Sequence, residues 1–134
     1  MPSNSSAFRP TQDWLAEVCR SISAEKAPPE LSIVATEVPW EPSGHITLYF
    51  RFEDGRCIEA RLLQGKIISR YTLSARYEDL LGIMEGRLSP FAAVPLGKLK
   101  IEKGTLGELA DYMPLALEIV EAARGSAKKF SHSS

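Results

Sequence analysis

The sequence predicts an α+β fold: a five-stranded, largely antiparallel sheet with helices packed on one face. Three observations carry that expectation. Between Leu31 and Leu73, four successive runs alternate apolar and polar residues, the pattern of strands that bury one face. From Thr11, and again from Tyr77, the apolar spacing lengthens to helical steps with a single apolar stripe. A fifth alternating run, "KLKIEK" from Lys98 to Lys103, comes before a closing helical segment. A sheet with one apolar face must be covered, and these helices are the elements that can cover it.

The first helix spans Thr11 to Ala24, with Trp14, Leu15, Val18, Cys19 and Ile22 on its apolar side. Thr11 is its expected cap, and Asp13 suits the positive end of the helix dipole. Pro28 and Pro29 forbid continuation. Leu31, Ile33 and Ala35 form one face of a first strand, stopped at Pro39, and "EPSG" (Glu41 to Gly44) is turn chemistry. In "HITLYFRF" Ile46, Leu48, Phe50 and Phe52 face one way and His45, Thr47, Tyr49 and Arg51 the other. Asp54-Gly55 is a strong hairpin signal, leading into Ile58, Ala60 and Leu62. A turn at Gln64-Gly65 and a fourth strand, "KIISRYTL", complete an expected antiparallel meander.

Tyr77, Leu80, Leu81 and Met84 share the stripe of the next helix, with Ser74 as its expected cap and Gly86 at its end. Ser89 and Pro90 read as cap and first residue of a short helix, Phe91 to Leu96, which Pro95 limits to about one turn. After the fifth strand, Gly104 and Thr105 open a closing helix whose expected stripe is Leu106, Leu109, Met113, Leu117 and Val120. Pro114 should kink or divide it, and Gly125 should stop it.

A chain of 134 residues fits one domain. The expected organisation is a disordered arm over residues 1–10, a domain over 11–125 and a flexible tail over 126–134. The net charge of -1 provides no basic face for nucleic acid. Cys19 and Cys57 are too few and too far apart to suggest a disulfide scaffold or zinc cluster, so they read as buried free thiols. No secretion signal opens the chain, and no apolar run approaches the ~20 residues of a membrane span, so a soluble cytoplasmic protein is expected.

Catalytic chemistry is poorly represented. His45 and His132 are the only histidines, one at a strand start and one near the C-terminus. The carboxylate pairs Glu53-Asp54 and Glu78-Asp79 suit a turn and a helix start. No phosphate-cradling glycine loop or metal-ligand spacing occurs. The sequence therefore predicts no enzyme, no cofactor and no metal.

One stretch is more specific. "LLGIMEGRLSPFAAVPLGKLKIEKG", from Leu80 to Gly104, resembles the sterol carrier protein 2 (SCP2) domain family. Gly86, Arg87, Leu88, Ser89 and Pro90 match the first half of the family's pattern. Ala93, Gly97, Lys98, Leu99, Lys100 and Ile101 match the second, and the Asp-Gly hairpin upstream also fits. The resemblance covers about Ile46 to Asp111 and implies an SCP2-like fold with an apolar tunnel between sheet and helices. It also implies a non-catalytic lipid carrier whose ligand is a fatty acid, acyl-coenzyme A, sterol or phospholipid. The side chains expected to line the slot are Leu81, Met84, Phe91, Val94, Leu109, Met113 and Leu117. Lys98, Lys100 and Arg87 could attract an anionic head group, although alternation turns the two lysines away from the slot. Transient membrane contact and a monomer or homodimer are compatible with this reading. The competing reading is a dimerisation or interaction module with the same fold and no lipid, using the polar sheet face or an edge at Leu31 to Glu37.

Overall fold

The computed structural model describes residues 9–132. The element order is α1 (Gln12–Ser21), β1 (Glu30–Thr36), β2 (Ile46–Glu53), β3 (Arg56–Gln64), β4 (Tyr71–Arg76), α2 (Tyr77–Met84), α3 (Pro90–Ala93), β5 (Lys100–Lys103), α4 (Leu106–Asp111) and α5 (Met113–His132). The arm expected over residues 1–10 falls mostly on residues 1–8, outside the described residues, as do the last two of the expected tail. Arg9 lies over the Trp40 ring, 4.7 Å from its centroid.

The five strands form one mixed sheet in the order β3-β2-β1-β4-β5. All neighbours are antiparallel except β1 and β4, which run parallel, Leu31 opposite Tyr71 and Ala35 opposite Ala75. This corrects the simple meander. The β3–β4 connection must pass β2 and β1 to reach the far side of the sheet, so residues 66–70 are a crossover rather than half of a strand. It also corrects the position of the Leu31–Glu37 segment. That strand is the centre of the sheet, paired on both sides, and offers no edge to a partner.

Both faces of β1 are therefore covered. Opposite the helices, Thr47 donates to the Gly65 carbonyl (2.7 Å) and accepts from the Ile67 amide (3.0 Å). Ser32 donates to Ser69 Oγ (2.9 Å), and the Ser69 amide donates to Thr72 Oγ1 (2.9 Å). Ser32, Thr47 and Thr72 are fully buried under the crossover, and Val34 with them. Ser74 stays in β4 instead of capping α2, and its hydroxyl donates to Glu102 on β5 (2.6 Å). That bond, more than the Lys66 ammonium nearby, holds the Glu102 carboxyl below the usual range.

The β2–β3 hairpin turns on Asp54 and Gly55 as expected, both at positive φ (51° and 77°), the twist that a two-residue turn needs. Gly55 is further constrained. Its carbonyl accepts from the Ala24 amide (2.9 Å), and a Cβ there would collide with the Ala24 carbonyl.

Helix α1 is capped by Thr11, whose side chain accepts from the Trp14 amide. It lies along β3, and its Gln12 amide replaces a strand at that edge, donating to Ala60 O and accepting from Leu62 N (both 2.8 Å). The same packing corrects the reading of the cysteines. Cys19 and Cys57 form a disulfide, with Cα atoms 5.3 Å apart, because α1 and β3 turn both toward one interface. Sequence separation hid a pairing that only the docking of α1 creates.

Ser89 and Pro90 open α3, and a reciprocal Thr105–Glu108 capping box opens α4. The closing helix is divided at Tyr112, placing Pro114 in the first turn of α5, where its missing N–H costs little. Gly125 does not stop α5, which continues through His132. The helix is held just before that glycine by two bonds. Trp14 Nε1 donates to the Ala123 carbonyl (3.3 Å), and Arg124 Nε donates to the Met84 carbonyl at the end of α2 (3.2 Å).

Candidate functional site

The inner face of the sheet and the helices above it do not close completely. Leu31, Ile33, Leu48, Phe50, Leu73 and Leu99 form the floor of a cavity of about 110 Å³. These residues alternate with Ser32, Thr47 and Thr72, so strand geometry alone separates an apolar floor from the hydrogen-bonded opposite face. Trp14, Leu15 and Val18 of α1 form one wall, and Leu80, Leu81, Ile83 and Met84 of α2 form another. Leu109, Tyr112, Leu115, Ala116, Ile119 and Val120 close the space from α4, α5 and their junction.

No charged side chain lines this cavity among the described residues. Two of its polar ring atoms are committed to backbone acceptors: Trp14 Nε1 as above, and the Tyr71 hydroxyl, which donates to the Thr105 carbonyl (3.3 Å). Burial pushes the hydroxyls of Tyr71 and Tyr77 up to about 12, so both stay neutral at physiological pH. Gly104 allows Tyr71 its place, since a Cβ there would run into the phenol ring. The site therefore offers hydrocarbon contact and little directional recognition.

Of the side chains expected to line a slot, Leu81, Met84 and Leu109 do line this cavity. Val94 and Met113 pack against the core at its margin and are not part of the wall. Phe91 and Leu117 are exposed, which corrects their expected inward orientation. In α3 it is Pro90 and Ala93 that turn inward, leaving Phe91 outside. In the closing segment, the break at Tyr112 resets the helical phase, so the inward stripe of α5 begins at Leu115 and not Leu117. Pro114 is the signal that would have prompted a new phase. Trp14, Leu15 and Val18 were legible as an apolar stripe but not as cavity wall. Lys98 and Lys100 are exposed, and exposed Arg87 pairs with Glu85 (2.8 Å).

Solved structures with this architecture exist. The chain superposes on a structure described as sterol carrier protein 2 with a TM-score of 0.77 and 26% identity, covering 85% of this chain and 95% of that one. It also matches a conserved hypothetical protein of Thermus thermophilus, described as possibly a sterol carrier protein. There the TM-score is 0.76 and the identity 25%, over 87% of this chain and 88% of the other. A more distant fold match is the sterol carrier protein 2 of Aedes aegypti, solved in complex with palmitate (TM-score 0.52, 13% identity, 88% and 98% covered). No family model and no curated protein matches the chain. The chain is an SCP2-like domain, with the mixed five-stranded sheet and the helical layer of those structures.

Proposed function

We propose that this protein is a non-catalytic lipid carrier that holds an acyl chain, a sterol or a similar apolar ligand between its sheet and its helices. The observation that carries this reading is the cavity itself, a gap walled by hydrocarbon where a close-packed interior should have none. The palmitate bound by the Aedes aegypti structure supports the same use of the fold. Each methylene moved from water into such a gap contributes about 0.8 kcal/mol, enough for a chain to bind without polar contacts.

The resting cavity, about 110 Å³, is smaller than the roughly 150 Å³ engineered cavity that admits benzene. A long chain therefore needs the layers to part. The break at Tyr112, between α4 and α5, is the natural hinge for that opening. No described helix is long and apolar enough to cross a membrane, so the carrier would meet lipid at a bilayer surface or in solution.

Ala116→Phe tests the reading. A phenyl group at this position would fill the gap, and excluding even two methylenes should weaken binding of a fluorescent fatty acid about tenfold or more. The melting temperature should hold or rise. Unchanged binding in a folded Ala116→Phe protein would mean that the chain binds elsewhere.

A further inference from the structure

We propose that the Phe91–Lys98 segment is a docking tip for anionic bilayers, placed so that a docked membrane lies against one end of the cavity; this rests on the lipid-carrier reading. Phe91 is 42% exposed and Leu96, the most exposed of the large hydrophobic side chains described, 62%. They lie with exposed Ala92 and Pro95 on α3 and the turn that follows it.

This turn is built and held. Ser89 Oγ accepts from the Ala92 amide (3.1 Å), and the Ala93 carbonyl accepts from the amides of Lys98 (2.9 Å) and Leu99 (3.2 Å). Ala93 is fully buried, whereas its neighbours Phe91 and Ala92 point outward. The fold thus fixes apolar side chains in water at a position where polar ones would cost nothing.

Charge selects the partner. Exposed Lys98 stands at the foot of the tip with exposed Lys100 beyond it, whereas Arg87 is paired with Glu85 (2.8 Å). An apolar tip with a basic flank matches an interface where acyl chains lie beneath anionic head groups. The roots of the tip, Pro90 and Leu99, are themselves cavity-lining residues. A chain leaving the bilayer at the tip would meet the slot over a continuous apolar path.

Co-sedimentation with vesicles of phosphatidylcholine and roughly one-third phosphatidylglycerol tests the proposal, since a basic side chain near such a surface is worth about fivefold in binding. The intact chain should partition onto these vesicles. Phe91→Ser combined with Leu96→Ser should reduce partition by at least about tenfold, and Lys98→Gln by about fivefold, with melting temperatures unchanged. Failure of the intact chain to partition, or wild-type partition by the double variant, would overturn the proposal. A change in solution mass in the double variant would assign the patch to a second copy of the chain and equally overturn it. Fatty-acid binding in vesicle-free solution is measured alongside. A chain-binding protein that ignores vesicles loses only the docking tip, whereas vesicle binding without chain binding removes the slot.

Discussion

Both faces of the sheet bury residues around its centre, yet they are filled by different means. On the crossover face, Ser32, Thr47 and Thr72 are sealed beneath residues 66–70 by directed hydrogen bonds, which leave little freedom for adjustment. On the helical face the contacts are dispersive, and the layer stops short of closing over Leu48 and Phe50. Hydrogen bonds specify distances to a few tenths of an ångström, while hydrocarbon packing tolerates a gap at modest cost. The fold keeps its rigid chemistry on one side and its adjustable chemistry on the other. In the proposed carrier, the adjustable side is the one that would open for a ligand.

The largest effect expected on that contrast comes from the Cys19–Cys57 disulfide, the covalent tie between the helical layer and the sheet. It spans 38 residues of sequence, and replacing both cysteines by serine should cost roughly 2–4 kcal/mol in urea unfolding. Thiol titration of the protein as isolated should find neither cysteine free. Disulfides belong chiefly to oxidising compartments, so two free thiols would favour the cytoplasmic setting expected from sequence instead.

Thr47→Val probes the opposite face at nearly constant volume. It leaves the Ile67 amide and the Gly65 carbonyl without their side-chain partner, at about 1–3 kcal/mol. Chain binding should be unaffected, because Thr47 does not line the cavity. A matching loss of affinity would show that the crossover and the slot are coupled.

The smallest effect is alkaline. The Tyr71 and Tyr77 hydroxyls are raised from the usual 10 to about 12, chiefly by burial. Below pH 10 both are neutral in folded and unfolded chains, and their contribution is fully present. Between about pH 10 and 12 the unfolded chain ionises first, so stability should fall as pH rises through that window. Tyr71→Phe should flatten the fall in melting temperature, whereas an unchanged slope would place the titration elsewhere.

Much of the fold was legible because local chemistry determined it. Thr11, Asp54-Gly55, Ser89-Pro90 and Gly104-Thr105 each act within a few residues, and the structure uses each as expected. Strand order was not legible in the same way. Alternation reports which face a residue occupies and nothing about its lateral neighbour, so β1 could move to the centre without altering its pattern. The disulfide and the Gln12 edge contacts were hidden for a related reason, since both depend on where α1 docks. The cavity was half legible. Periodicity found Leu81, Met84 and Leu109, but it carried one phase through Pro114 and so pointed to Leu117 where Leu115 turns inward.

Native mass spectrometry of the protein as purified bears most directly on lipid carriage. A carrier should show a discrete added mass, released on denaturation as a fatty acid, phospholipid or sterol, and restored when palmitate is added to stripped protein. A bare chain mass in every charge state, with palmitate present, would contradict carriage. A dimer in that bare state would move the function from lipid carriage to assembly.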